Sequence, residues 1–348
     1  MKDVLIIGAG KTGRGFIPQY LKNVHLYFAD KNQDVVHQMK LKKSYKIKFY
    51  GSQKVLDIFY QDVFHVSDNH FYEIVKKVDH IYISIDTSHY KELAMDLNKA
   101  LIDRKKPLVI VTFENAVSAS SIISSLLSKY IKCHITFLDA GVFCTTNQDQ
   151  GIDIKSQDIC YLPIQYQEGI ELPLSPMTPI KNFTNLMKRK LYTYNCLSAV
   201  ICYQGYVKGY NELGKAAHDH EIIAEIEILL NELNLRIAEY FGISQQEQDS
   251  FSKSAIDKFS DIYLKDSIER NARNVLRKLG TRERLIQPLL LVKEKKTKDV
   301  LLKTIACACL YDFKEETHQG IDLISTLPLS QEDKSRIIYF YNWFSTLC

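Results

Sequence analysis

The chain begins with a stretch that leaves few folding choices: Val4-Leu5-Ile6-Ile7 runs straight into Gly8-Ala9-Gly10-Lys11-Thr12-Gly13-Arg14-Gly15. Four apolar residues without alternation predict a strand buried on both faces, as in the middle of a parallel sheet. The spacing Gly8-x-Gly10-x-x-Gly13 then suits a strand-to-helix turn that can carry a pyrophosphate. The first glycine makes the turn, the second admits phosphates close to the backbone, and the third lets helix and strand pack closely. Gly8, Ala9, Gly10, Lys11, Thr12, Gly13 and Arg14 are therefore the candidate cofactor-binding segment. A helix over Thr12–Leu21 is expected to aim its free N–H groups and positive dipole end at the anion.

A glycine turn that merely packs a helix on a sheet has the same spacing, so the next strand decides. Val24-His25-Leu26-Tyr27-Phe28-Ala29 ends at Asp30, about twenty residues past the glycines, where a carboxylate can hold the adenosine ribose hydroxyls. That charge repels a 2′-phosphate, which favours NAD over NADP, and the adjacent Lys31 softens the preference.

From residue 1 to about 150, apolar strands alternate with polar helices, the pattern of βαβ units. Strands are expected at Val4–Ile7, His25–Ala29, His80–Ile85, Leu108–Thr112 and Ile135–Leu138, with helices near Lys91–Asp103 and Ser120–Tyr130. Right-handed crossovers place the carboxyl ends of these strands on one edge, so Asp86-Thr87-Ser88 and Phe113-Glu114-Asn115 belong to the ligand-facing side. Between Ile152 and Pro179 four prolines and short alternating pieces predict one or two small hairpins and then a boundary. Ile180–Gln287 contains no proline and is dominated by helical periodicity, as in Glu221–Leu230, and Ser330–Phe344 continues the pattern. Lys293–Lys298 reads as a solvated turn. The expected fold is an α/β Rossmann-type, doubly wound parallel sheet (residues 1–179, with a hairpin extension at its end) followed by a mostly α-helical second domain (residues 180–348).

Composition narrows the function classes. A chain of 348 residues has room for two cores. It has no apolar run of about eighteen residues, so no membrane span is expected. The strand begins directly after Met1-Lys2-Asp3, leaving no room for a signal peptide. Eight scattered cysteines without a CxxC pair read as reduced core thiols of a cytoplasmic protein. No Cys/His group has metal-ligand spacing, and His218-Asp219-His220 reads as a polar helix face. The net charge of +4 is modest. Lys40, Lys42, Lys43, Lys46 and Lys48 alternate in part with Tyr, Ile and Phe, which suits the solvated face of a strand better than a nucleic-acid surface.

The second half opens on Lys188-Arg189-Lys190-Leu191-Tyr192-Thr193-Tyr194-Asn195-Cys196-Leu197-Ser198. As a regular helix this places Lys190, Tyr194 and Ser198 in one stripe, with Asn195 on a neighbouring face. A desolvated lysine can take a hydroxyl proton while hydride leaves the carbon, and an amide can donate to the oxygen as it becomes a carbonyl. Taken alone, a lysine before a helix is more often simply solvated. Further on, Arg270, Arg273 and Arg277 share one helical face, an arrangement that suits a phosphate monoester or a set of interdomain salt bridges.

Several of these pieces occur together in a known family. Gly-Arg-Gly-Phe-Ile at 13–17, Glu114-Asn115 and Lys190-Leu191 with Asn195 five residues on form one part. A later run completes it: Phe259, Tyr263-Leu264-Lys265-Asp266, Glu269-Arg270, Arg273, Leu276-Arg277-Lys278-Leu279 and Arg284-Leu285-Ile286-x-Pro288. Across almost its whole length the chain resembles the mannitol-1-phosphate 5-dehydrogenase branch of the polyol-specific long-chain dehydrogenases. The resemblance implies a metal-independent, NAD-dependent enzyme that interconverts a hexitol phosphate and a ketose phosphate, with its active site where a Rossmann and a helical domain meet. It implies Lys190 as general base, Asn195 and Asn115 as polarising amides, Ser198 beside them, the glycines on the pyrophosphate and Asp30 on the ribose. Three substrate-side positions depart from the family. Ser198 stands in place of a histidine, Ser118 in place of an arginine, and Val142–Thr146 in place of an Asp-Arg pair. Two other readings therefore stay open: an NAD-binding sensor or scaffold without turnover, and a dehydrogenase of another acidic sugar such as a hexuronate. The expected partner is a small sugar or polyol phosphate, not nucleic acid or membrane, and the oligomeric state is not legible.

Overall fold

The structure is a computed structural model that describes residues 1–311 and 320–346. The chain divides into two compact units, Met1–Met187 and Lys188–Cys348. The division falls inside a helix, three residues before Lys190.

The first unit is built on twelve strands: β1 (Lys2–Ile7), β2 (Val24–Asp30), β3 (Ser44–Phe49), β4 (Val55–Phe59), β5 (Asp62–His65), β6 (His80–Ile83), β7 (Leu108–Phe113), β8 (Ile135–Ala140), β9 (Thr146–Gln148), β10 (Ile154–Ser156), β11 (Pro163–Gln165) and β12 (Thr178–Ile180). Eight of them form one sheet in the order β12-β11-β8-β7-β6-β1-β2-β5. Its pairings from β5 through β8 are all parallel, and β11 closes antiparallel on β8. The chain proceeds outward from β1 to β2 and β5, then returns to β6 on the other side. β1 therefore lies at the switch point of the sheet, where ligands of such folds collect. Its residues alternate between two cores, as an all-apolar strand in a covered sheet must. Val4 and Ile6 pack with Phe16, Ile17 and Phe28 on one face, and Leu5 and Ile7 with Phe71, Val75, Leu93 and Leu97 on the other.

The helices of this unit are α1 (Lys11–Gly15), α2 (Gln33–Lys42), α3 (Asn69–Lys77), α4 (Tyr90–Leu101) and α5 (Ala119–Leu126). The helix expected over Thr12–Leu21 is shorter. α1 stops at Gly15 and a 3-10 turn covers Ile17–Tyr20. Pro18 has no N–H to offer the carbonyl of Arg14. The Tyr45 hydroxyl donates to that carbonyl instead, at 2.8 Å.

A second, four-stranded sheet, β4-β3-β10-β9, was not expected as such. It joins β3 to β10, a hundred residues later in the chain. Within the basic stretch, Lys46 and Lys48 do lie on β3 while Tyr45, Ile47 and Phe49 are buried, but Lys40 and Lys42 belong to α2. The hairpin expected after Ile152 starts earlier, as β9 precedes that residue and pairs with β10, and β11 and β12, which lie within Ile152–Ile180, run parallel.

The boundary helix α6 (Phe183–Lys190) leads into a second unit composed of helices: α7 (Cys196–Val207), α8 (Leu213–Ala216), α9 (His220–Phe241), α10 (Gln245–Phe259), α11 (Ile268–Ala272), α12 (Val275–Lys278), α13 (Ile286–Leu291), α14 (Lys295–Leu310), α15 (Ile321–Thr326) and α16 (Gln331–Ser345). α7 is apolar nearly all round and is its central helix, packed by α8, α9, α11 and α14. Two expectations change here. Lys295–Lys298 is the first turn of α14, not a loop, and the buried Glu232 accepts the N–H groups of Lys293 and Glu294 at its entrance. In His218-Asp219-His220 the aspartate caps α9, accepting from the N–H groups of Glu221 and Ile222, so the trio marks a helix start. Of the cysteines, Cys160 is exposed and six others are buried, while Cys348 lies outside the described residues.

Candidate nucleotide and catalytic sites

At the carboxyl end of β1 the backbone turns at Gly8, whose φ of +98° excludes other residues at little cost. A Cβ on Gly8 would lie 2.3 Å from the Ser84 carbonyl oxygen, and one on Gly13 only 1.9 Å from the Gly8 carbonyl oxygen. These two glycines are required by the protein itself. Gly10 is different: a Cβ there meets nothing within 4 Å, and its backbone is extended. The open space at Gly10 is the cradle that a close-lying anion would use.

Asp30 stands across the turn. Its carboxylate accepts the Ala9 N–H at 2.7 Å and the Asn32 N–H at 2.8 Å, which fixes the end of β2 against the glycines. A pocket with about 530 Å³ of open space lies beside it, lined by Gly8, Asp30, Lys31, Val66, Ile85 and His89 among others. Its apolar walls suit a flat base and its carboxylate suits ribose hydroxyls. Lys11 and Gly10 are exposed and Thr12 half-buried at the turn's rim.

Among the candidate cofactor residues, Arg14 has its side chain turned inward. It is 3% exposed, and its guanidinium donates to the carbonyls of Ala9 and Ile152 and to Gln148 Oε1. The side chain thus ties the glycine turn to the loop between β9 and β10, a strut rather than a ligand contact. In the sequence it reads as one more polar residue of the motif, and nothing there points to its burial.

On the same sheet edge, Glu114 is half-buried and Asn115 exposed after β7. The loop they open is anchored by a residue the sequence reasoning missed. Asp139, 6% exposed on β8, accepts from Thr112 Oγ1 at 2.6 Å and from the Ser120 N–H and Oγ at 2.8 and 2.7 Å. Thr112 and Asp139 are register partners in two otherwise apolar strands, and that pairing was the available signal. Ser118 has a φ of +59° at the start of α5, so it serves the turn's geometry. Val142–Thr146 is buried throughout.

In the second unit Lys190 is 6% exposed as the last residue of α6. The helix does not continue regularly. Leu191–Asn195 forms a π turn before α7 begins at Cys196. The expected stripe of Lys190, Tyr194 and Ser198 is therefore wrong, because a π turn adds one residue to the helical repeat. The added residue swings Asn195 toward the face of Lys190, from which a regular helix would turn it away, and Tyr194 lies in the core, where its ring meets those of Phe251 and Phe259. Asn195 and Ser198 are both half-buried.

The three arginines do not share a helical face. α11 ends at Ala272, Arg273 is extended, and Asn274 has a φ of +62° before α12 restarts. Arg270 is bound by Asp266 through two hydrogen bonds of 2.8 and 2.6 Å, Arg273 is exposed, and Arg277 is exposed with Glu283 at 3.4 Å. Lys278 is buried in this region at 5% exposed, and Arg284 is half-buried. Burial pulls its guanidinium below the ordinary value, Glu283 at 3.1 Å opposes that, and its charge reaches Cys196 at the start of α7. Among the described residues no group of three or more His, Cys, Asp or Glu is placed to hold a metal ion, and no helix is long and apolar enough to cross a membrane.

Comparison with known proteins bears on both units. Residues 2–153 match the mannitol dehydrogenase Rossmann domain, and residues 182–337 match the mannitol dehydrogenase C-terminal domain. The chain is similar to mannitol-1-phosphate 5-dehydrogenase of Buchnera aphidicola subsp. Acyrthosiphon pisum (strain 5A), 25% identical over 97% of each chain. Its fold is similar to that of Pseudomonas fluorescens mannitol 2-dehydrogenase, solved as a ternary complex with NAD and D-mannitol, with a TM-score of 0.73 at 11% identity over 99% of this chain and 92% of that one. A substrate-free D-sorbitol dehydrogenase gives 0.74 at 12% identity, covering 98% and 93%. With both domain models of one family matched in order along the chain, and at an identity this low to its relatives, the protein belongs to the mannitol dehydrogenase family as a divergent member.

Proposed function

We propose that the protein is an NAD-dependent oxidoreductase that interconverts a hexitol phosphate and a ketose phosphate, of the mannitol 1-phosphate and fructose 6-phosphate type. The observation that supports this reading is a buried lysine followed by a π turn, which swings an asparagine toward the lysine's face. A buried amine is suited to exchanging a proton with a substrate hydroxyl brought beside it.

A bound nicotinamide dinucleotide supplies the hydride donor and acceptor. The residues suited to hold it are Gly8, Ala9, Gly10, Lys11, Thr12 and Gly13 at the pyrophosphate and Asp30 at the ribose. The Asp30 charge and the apolar pocket support NAD over its 2′-phosphorylated form. Lys190 takes the hydroxyl proton in oxidation and returns it in reduction. Asn195 and Asn115 donate to the oxygen as its bond order changes. Ser198 offers a hydroxyl to the polyol chain. With Arg270, Arg277 and Arg284 engaged by carboxylates, the exposed Arg273 is the arginine of this run best placed to meet a phosphate.

The test is NADH oxidation with fructose 6-phosphate. Wild-type protein should turn over, and Lys190→Ala should lower kcat by about 10²–10⁴-fold, the usual range for a lost general base. A Lys190→Ala protein within threefold of wild type would overturn the assignment. The buried packing of Val142–Thr146 favours a second reading, a dinucleotide-binding protein without turnover. That reading expects thermal stabilisation by NAD and no NADH consumption with any sugar phosphate.

A further inference from the structure

A π turn inserted between two α-helices breaks the regular i to i−4 ladder, and it persists only where side-chain contacts favour it over the straight helix. The straight alternative is costly to the function proposed above. Removing one residue of offset rotates the two sides relative to each other by about 100°, so Asn195 would turn away from the face of Lys190. Something must therefore hold the turn from outside.

We propose that Gln248 of α10 is a positioning residue that sets the register of the π turn carrying Lys190 and Asn195. It is fully buried and grips the segment on both sides of the lysine. Its Oε1 accepts from Arg189 Nε at 2.7 Å, one residue before Lys190. Its Nε2 donates to Thr193 Oγ1 at 2.9 Å, three residues after it, and to Asn234 Oδ1 of α9 at 3.3 Å.

The surrounding contacts leave this amide little freedom. Asn234 donates to Asp249 Oδ1 at 2.8 Å and to Ser252 Oγ at 2.9 Å, which fixes the oxygen that Gln248 addresses. Arg189 also bonds the Glu247 carboxylate and carbonyl and lies 4.2 Å over the Phe251 ring. Thr193 itself has no exposed surface. A buried amide with both ends used is a two-point clamp, because slipping the turn by one residue would strand a donor or an acceptor in the core. The clamp touches neither substrate nor cofactor and acts through Lys190, so this inference rests on the proposed function.

Thr193→Val removes one hydroxyl at nearly constant volume, and Gln248→Met removes both grips. With NADH and fructose 6-phosphate, each should lower kcat by about 10–100-fold, the cost of misplacing a reacting group by about 1 Å. KM for NADH should stay within twofold, and the pH dependence of kcat should move. Thr193→Ser should recover kcat to within threefold. The double variant should be no worse than the poorer single one. Acetylation of Lys190 by acetic anhydride, followed by mass spectrometry, should quicken at least tenfold in Thr193→Val and reads the clamp without turnover. Variants that melt earlier but keep kcat, its pH profile and the Lys190 labelling rate would show a merely structural network and overturn the inference. If Lys190→Ala retains turnover while labelling still quickens in Thr193→Val, the general-base reading fails and the clamp stands.

Discussion

His80 sits on β6, 3% exposed, and its Nδ1 has no hydrogen-bond partner. Burial pushes the imidazole down to about 4, against the pull of nearby Asp79. An unfolded chain takes up this proton near 6.5, so between about 6.5 and 4 the unfolded state binds more protons than the folded one. The contribution to stability is therefore complete above pH 6.5 and is lost as the pH falls through that window, by about 3 kcal/mol at its lower end. His80→Phe should remove this slope. Denaturant unfolding at pH 7 and pH 4.5 should show the variant losing less stability than wild type, and equal losses would mean that His80 is not buried as a neutral ring. Residues of this kind are poorly legible in a sequence, because burial and not residue type decides their chemistry. Asp30 could be read from its place at the end of a strand. Arg14 could not, since Gln148 and Ile152 lie far along the chain, and Asp139 showed only as a polar residue in a mostly apolar strand.

At the scale of elements, the glycine turn separates what the fold needs from what a ligand needs. Gly13→Ala pushes a Cβ into the Gly8 carbonyl and should cost about 3 kcal/mol of stability. Gly10→Ala meets no atom and keeps an ordinary backbone, so unfolding should change by no more than about 0.5 kcal/mol. It should nevertheless weaken NAD binding at least tenfold, about 1.4 kcal/mol, by filling the cradle. Calorimetric titration with NAD beside thermal melts checks both, and undiminished affinity in Gly10→Ala would remove the pyrophosphate from this turn. The parallel strands were legible because a strand covered on both faces must be mostly apolar, as Val4–Ile7 of β1, Ile81–Ile83 of β6 and Leu108–Val111 of β7 are. β4 and β10 were not, because each is short, and β10 also depends on pairing with β3, a hundred residues earlier in the chain. The arginine run failed for a local reason: Asn274 adopts a left-handed conformation and divides what periodicity joins into one helix. The π turn failed for the opposite reason, since its residues are ordinary helix formers and its cause lies on α10.

Across the whole molecule the proposed roles divide by unit. The glycine turn and Asp30 belong to Met1–Met187, and Lys190, Asn195 and Ser198 to Lys188–Cys348. Dinucleotide affinity and proton transfer should then be separable by mutation. NAD that binds only the folded state raises stability by RT ln(1 + [L]/Kd), about 2.7 kcal/mol at one hundred times Kd. Lys190→Ala leaves every residue of the turn and pocket in place, so it should keep the full NAD-induced rise in melting temperature while losing turnover. Gly10→Ala should melt like wild type without NAD and, with affinity at least tenfold weaker, gain no more than about 1.4 kcal/mol at the same NAD concentration. The pairing matters more than either variant alone, because a general loss of folding would lower both signals in both proteins. If Lys190→Ala forfeits more than half of the NAD-induced shift, the lysine contributes to holding the dinucleotide, and its action cannot be confined to moving a proton.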